Sequence, residues 1–291
     1  PEGSIHATLD IQGALNQPKL TSTVALTNGR VAVPELGLTL TPINITAKTD
    51  ATHWRVNALA RPNNGAPLTL HGEGNITPNL TGTLVLEGSG VTVMATPEYF
   101  VEASPNITLT KTAHLYSIDG SILIPKARIT PLSFNHTVKL TRDAVFTDEN
   151  ADPNPLDLNL NIALDMGRDV GINIKGIQGF VDGMLHIKQL PKQAMTANGE
   201  LKLREGRFEA YGQKLYIQQG ELIFLGQQLD NPNLRVRAIR RFTQTNAQFS
   251  GSNDLLDFSD TNLDSANLGN QTTVGITVSG RLDAPRIKLF S

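Results

Sequence analysis

The chain contains no cysteine. That excludes a disulfide framework, a thiol nucleophile and a Cys-ligated zinc site. Apolar residues make up 39% of the 291 residues and aromatics only 5%. Both shares are low for one thick, closed core and suit a thin sheet with one apolar face. Neither charge sign dominates: 25 basic residues face 27 acidic ones, a net of −2. A general nucleic-acid binder needs a basic field, so that class is set aside, while lipid and protein clients stay open. No run approaches the roughly 18 apolar residues of a membrane helix. No amphipathic helix pattern of useful length occurs either. Residue 1 is Pro, and no charged-then-apolar leader follows. The sequence therefore reads as a processed or cut fragment, with any membrane anchor outside it.

What is present is alternation. In the stretch Gly199–Arg241, Leu201 and Leu203 alternate with Glu200, Lys202 and Arg204. Phe208 and Ala210 alternate with Arg207, Glu209 and Tyr211, and Leu215 and Ile217 with Lys214, Tyr216 and Gln218. Leu222 and Phe224 continue the pattern. A period of two puts each apolar set on one face of a strand. The cleanest case is Leu156, Leu158, Leu160, Ile162 and Leu164, with Asp157, Asn159, Asn161 and Asp165 facing the other way. The same grammar runs from Ile5-Ala7-Leu9-Ile11 to Val274-Ile276-Val278. Asn28-Gly29, Asp119-Gly120, Glu205-Gly206 and Gln219-Gly220 read as hairpin turns, because glycine supplies the positive φ such turns need. Pro34 ends the run before it, since proline cannot donate to a ladder. Thr96 could cap a short helix at Pro97–Phe100, but strand or irregular structure is the preferred reading there.

Two segments break the rule. Residues 143–155 are acidic and Pro-rich and read as a mobile loop; residues 243–272 are polar and read as an insertion. Internal repetition is the strongest organising sign. Gly13-x-Leu15-x-x-Pro18 recurs as Gly280-x-Leu282-x-x-Pro285, and in shortened form as Gly74-x-Ile76-x-Pro78. Gly29-Arg30-Val31 recurs as Gly206-Arg207-Phe208. Such units suggest a quasi-one-dimensional array of strands stabilised by neighbours.

The expected fold class is therefore all-β: one long, curled, antiparallel-rich sheet spanning 1–291, with an apolar interior. Such a sheet must bury its apolar face. It either packs into a closed sandwich or curls into an open, solenoid-like groove. An open trough of some 20 strands at about 4.7 Å each would run on the order of 90 Å. It would need an apolar guest, because large exposed apolar patches are rare without a purpose. The expected lining is Leu156, Leu158, Leu160, Ile162, Leu164, Leu201, Leu203, Phe208, Ala210, Leu215, Ile217, Leu222 and Phe224.

Catalytic constellations are thin. His6, His53, His71, His114, His136 and His186 lack metal-ligand spacing. Glu87-Gly88-Ser89-Gly90 is no nucleophile elbow. Asp165, Asp169 and Asp182 could serve a β-helix glycosidase, but sit at turns or on the outward face. No enzyme, cofactor or metal is expected. The one basic cluster, Arg235, Arg237, Arg240 and Arg241, reads as a solvated strand edge that blocks aggregation.

The stretches 205–215 (EGRFEAYGQKL) and 229–234 (LDNPNL) resemble the C-terminal conserved domain of the TamB family, and 28–36 (NGRVAVPEL), 124–131 (IPKARITP) and 278–291 (VSGRLDAPRIKLFS) are similar to it too. The resemblance covers nearly the whole chain in order. It implies a sheet curled like a taco, a periplasmic location and an inner-membrane anchor elsewhere in the parent protein. It also implies a TamA-type outer-membrane barrel as partner, with phospholipid or unfolded outer-membrane proteins as clients. The expected function is a conduit or scaffold between the two membranes. A structural β-solenoid adhesin or passenger-like protein is the alternative.

Overall fold

The computed structural model describes residues 2–14, 17–50, 52–76, 79–131, 157–210, 213–243 and 271–291. The segments 143–155 and 244–270 and the groove candidate Leu156 fall outside them. Sixteen strands form one sheet: β1 (Glu2–Ala14), β2 (Gln17–Val33), β3 (Leu38–Thr49), β4 (His53–Pro62), β5 (Leu68–Asn75), β6 (Thr81–Gly88), β7 (Val91–Ala95), β8 (Tyr99–Lys111), β9 (Tyr116–Ile129), β10 (Leu158–Ile174), β11 (Ile177–Gln189), β12 (Thr196–Ala210), β13 (Gln213–Gln228), β14 (Asn233–Thr243), β15 (Gln271–Arg281) and β16 (Ala284–Phe290). All but β7 follow one another in single file. At about 4.8 Å per step the file is on the order of 70 Å long. Among the described residues the only helical turn is a 3₁₀ turn at Pro34–Leu36, where proline ends β2. Pro97 and Glu98 form a bend, not a helix, and the Thr96 hydroxyl accepts the Tyr99 N–H at 3.0 Å.

Every pairing is antiparallel except one. β9 and β10 run parallel, Tyr116 opposite Leu158 through Ile129 opposite Ile172. The sheet is thus two antiparallel meanders, β1–β9 and β10–β16, joined along a parallel seam. β6 and β7 both pair with β8, so together they act as one long strand broken at Ser89-Gly90. Val91, at the start of β7, is fully buried.

The alternation places the apolar residues in rows across the strands. Ile5, Leu26, Ile45, Ala58, Leu70, Leu86 and Ile107 lie directly opposite one another from β1 to β8. The row continues through Gly120, Ile162, Ile187 and Ala197 to β12. One face of the sheet is therefore apolar along nearly its whole length. The core is correspondingly small. Its main cluster is Leu185, Ala197 and Phe224, with Leu164, Ile187, Leu201, Leu222 and Leu229 packed around it.

The glycine signals do not make hairpins. Asn28-Gly29 lies inside β2, Asp119-Gly120 inside β9, Glu205-Gly206 inside β12 and Gln219-Gly220 inside β13. Asn28 and Glu205 take left-handed angles, φ 54° and 52°. Around them the register slips: at Leu26/Gly29 in β2, at Gln178/Phe180 opposite β12, and at Ile217/Gln219 in β13. These are bulges, which use the same positive φ as a turn but bend a strand without reversing it. Strands thus come out longer and fewer than the 20 expected. The true reversals lie elsewhere, for example at Lys175-Gly176 (φ 49° and 84°), which joins β10 and β11 in a two-residue hairpin.

The bulges are what curl the sheet. In β10, β11 and β13 the slips fall at neighbouring positions and form a crease. On its concave side Gly206 is buried, and a Cβ there would stand 2.8 Å from Ile217 Cβ and 2.9 Å from Leu203 Cδ2. The same triad recurs in the first meander: a Cβ on Gly29 would stand 3.1 Å from Ile43 Cβ and from Leu26 Cδ2. The repeated Gly-Arg-apolar unit is therefore a bulge unit. The other repeat is a hairpin: Gly13 is opposite Pro18, and Gly280 opposite Pro285.

Candidate functional groove

The strands of the second meander carry their apolar rows into a shared hollow of about 470 Å³. Ile172 of β10 and Ile177 and Val181 of β11 form one wall. Leu201, Leu203 and Phe208 of β12, with Leu215, Ile217 and Leu222 of β13, form the floor. Leu234, Val236 and Ala238 of β14 and Ile276 and Val278 of β15 form the opposite wall, with Leu282 beyond. Along a flat sheet β10 and β15 would stand about 24 Å apart. Side chains from both reach one hollow only because the sheet curls around it. Gly206 and Gly220 make this possible: without side chains they let Leu203 and Ile217 lie across the crease.

Six of the expected lining residues meet here: Leu201, Leu203, Phe208, Leu215, Ile217 and Leu222. Leu158, Leu160, Ile162 and Leu164 of β10 share the concave face, in line with Tyr116, Ile118, Gly120 and Ile122 of β9. They do not line this hollow. Ile162 is buried, Leu164 packs on the core cluster, and Leu160 borders a separate hollow of about 460 Å³. Phe224 is buried at 5% exposure, so it serves as floor packing. Ala210 ends β12, opposite Gln213. Leu234, Val236 and Ala238 lie outside the expected lining, although the alternation Leu-Arg-Val-Arg-Ala carries the same period-two signal. β14 is not an edge: it is paired on both sides, with β13 and β15. Its arginines therefore do not act as an edge guard.

A larger hollow, about 800 Å³, lies in the first meander beside Trp54, Lys48, Asp50, Arg55 and Glu73. Its charged wall ill suits an apolar guest, so the smaller hollow is the candidate site. Trp54 lies over the notch at Gly82, where a Cβ would strike its ring, and its indole N–H donates to the Thr81 carbonyl at 2.9 Å.

The convex face behind the hollow is polar and ordered by charge. Asp182, Lys202, Glu221 and Arg235 lie directly opposite one another on β11 to β14, alternating in sign. Arg235 Nη1 donates to Glu221 Oε2 at 3.0 Å. The Gln219 amide and then Arg235 hold the Glu221 carboxyl below the usual carboxylate range, against the opposing effect of burial. Asp182 is ion-paired with Arg204, and Asp169 lies opposite Lys126. Glu221 and Asp182 thus each have a cation beside them, unlike the paired acids of a glycosidase. Among the described residues no group of three or more His, Asp and Glu could hold a metal ion. No helix among them is long and apolar enough to cross a membrane.

The family model described as TamB C-terminal domain matches residues 57–291. The translocation and assembly module subunit TamB of Haemophilus influenzae (strain ATCC 51907 / DSM 11121 / KW20 / Rd) is 26% identical over 203 residues, which is 65% of this chain and 14% of that protein. The chain thus spans a small part of the relative's length. The match runs from β4 through the crease and the groove to β16, and so takes in every strand that lines the hollow. On that extent of agreement, this chain belongs to the family of the TamB C-terminal domain.

Proposed function

We propose that the concave face is a periplasmic conduit that shields the apolar part of an amphipathic client between the inner and outer membranes. The observation that carries this is the convergence of apolar side chains from six consecutive strands on one hollow within an open, curled sheet. The acyl chain of a phospholipid suits it best. Burying even six methylenes in such a hollow is worth about 5 kcal/mol. The strands around the hollow already pair with neighbours on both sides, so the trough offers few backbone partners to an unfolded peptide, whose own N–H and C=O groups would go unmet. A hydrocarbon tail asks for none. An adhesin would call for a closed, dry core, whereas this sheet stays open.

By analogy with the relative's name, the chain works within a translocation and assembly module. Its partner is then a TamA-type outer-membrane barrel, and its inner-membrane anchor lies in the remainder of a longer protein. The reaction assigned is transfer without chemistry: no covalent step and no cofactor. Mass spectrometry of an organic extract of the purified chain tests the reading. Phospholipid, or detergent in its place, is the expected content. A clean extract from protein purified without detergent would refute a lipid path. Unfolded outer-membrane protein captured in the groove instead would shift the client class.

A further inference from the structure

The crease is held from its convex side by one arginine. Arg204 of β12 sits directly before the bulge residue Glu205 and opposite Phe180 of β11. By parity its side chain leaves the sheet on the face opposite that of Leu203. From there it reaches across two strands. Its Nε is buried against the Asp182 carboxylate of β11, with which it is ion-paired. Its Nη2 donates to the Arg168 carbonyl of β10 at 2.7 Å. Its guanidinium lies 5.9 Å over the Phe180 ring, and a Cβ on Gly171 of β10 would in turn meet that ring at 3.7 Å.

These contacts fall where the ladder is interrupted. β10 slips between Met166 and Gly171 against β11, and between Met166 and Asp169 against β9, so Arg168 is ladder-paired on neither side. β11 slips between Gln178 and Phe180 against β12. Ladder pairing therefore does not fix these three strands at the crease itself. One guanidinium, planar and with its donors in a rigid fork, ties them there. The tied residues sit beside residues that line the hollow: Val181 precedes Asp182, Leu203 precedes Arg204, and Ile172 comes four residues after Arg168. Successive side chains of a strand point to opposite faces, so anchoring one residue on the convex face sets where its neighbour stands on the concave one.

The structure assigns Arg204 a positioning role: it joins three bulged strands and so sets the spacing between the β10–β11 wall of the groove and its β12 floor. Gly206 gives the bend room, and Arg204 holds it at one angle. The role rests on reading the hollow as the client site, since Arg204 lies on the opposite face and acts only through Val181, Leu203 and Ile172.

Titration of the 291-residue chain with cis-parinaric acid, a fluorescent fatty acid, tests it well below the melting temperature of every variant. R204Q should bind the probe about tenfold more weakly, the low end of what losing a hydrogen bond to a charged group does to a two-state balance. R55Q removes a comparable convex-face ion pair, Arg55 with Glu73 in the first meander, and should bind as the parent chain does. Equal binding by R204Q and the parent, or equal losses in R204Q and R55Q, would overturn the proposal. A second measurement needs no client. The chain has no cysteine, so spin labels can be placed at Asn173→Cys and Asn198→Cys, exposed positions on β10 and β12 on either side of the crease. The distance distribution between them should broaden in R204Q and stay as in the parent in R55Q; an unchanged distribution in R204Q overturns the proposal. The two readings fail separately. If the parent binds no probe while the distribution broadens, the conduit fails and the positioning role stands. If the parent binds and R204Q changes neither measurement, the positioning role fails and the conduit stands.

Discussion

Replacing Gly206 by alanine tests the crease directly. Gly206 is buried and outside the left-handed region, so its requirement is for space rather than for torsion. An added Cβ would stand 2.8 Å from Ile217 Cβ, where carbon atoms prefer roughly 3.5–4.0 Å. Ile217 Cβ is fixed to the backbone of β13, so no rotamer change relieves the contact. The two strands must part, or the crease must open. Overpacking of this kind costs about 1–3 kcal/mol, and loss of glycine's freedom in the unfolded chain offsets about 0.4–1 kcal/mol of it. The net expectation is a destabilisation on the order of 1–2 kcal/mol, or a melting temperature lower by about 2–3 °C for a chain of this length. Far-UV circular dichroism followed on heating measures it. Gly29→Ala is the internal comparison, because the same triad there has gaps of 3.1 Å; it should lose less. A Gly206→Ala chain that melts with the parent would refute the claim that this glycine sets the bend. So would a larger loss for Gly29→Ala.

Three further outcomes follow from other parts of the molecule. Ile217→Asp, at the groove floor, should empty the organic extract of lipid while the strand signal remains, whereas Leu160→Asp, at a separate hollow, should reduce it less; lipid retained in both refutes the groove assignment. Trp54→Phe removes the bond to Thr81 and should lower stability by about 1 kcal/mol, read by calorimetry, with no change expected if the indole merely covers Gly82. The Asp50 carboxylate accepts the N–H groups of Thr52 and His53, which holds its pKa down to about 2 from 3.8. Because that folded value is depressed, its contribution is complete above pH about 4 and fades as pH falls towards 2. Asp50→Ala should therefore melt below the parent at neutral pH, with the gap narrowing on acidification; a gap independent of pH would contradict this.

The apolar rows were legible because side-chain direction in a strand depends only on parity. Leu201, Leu203 and Ile217 could be assigned to one face before any pairing was known. The bends were not legible, because Asn28-Gly29 and Glu205-Gly206 satisfy a turn and a bulge equally well. Which of the two forms depends on whether the strand beyond finds the same neighbour, as β2 does with β3, or reverses onto a new one. The parallel pairing of β9 with β10 was hidden for a related reason. Nothing in Tyr116–Ile129 or Leu158–Ile174 records strand direction; it follows from the connection between them. The distinction between lining and packing residues failed on curvature: Phe224 and Leu222 have the same parity, but only Leu222 reaches the hollow.

The parallel seam between β9 and β10 has a consequence for how the chain assembles. Within each meander the antiparallel pairings can close from near partners by local zippering, apart from β14 with β15, whose nearest partners are Thr243 and Gln271. The seam instead joins partners about forty positions apart, Tyr116 to Leu158 and onwards, and must wait for both halves. It is also where the molecule is severable: separately produced halves should each fold, and rejoin there when mixed.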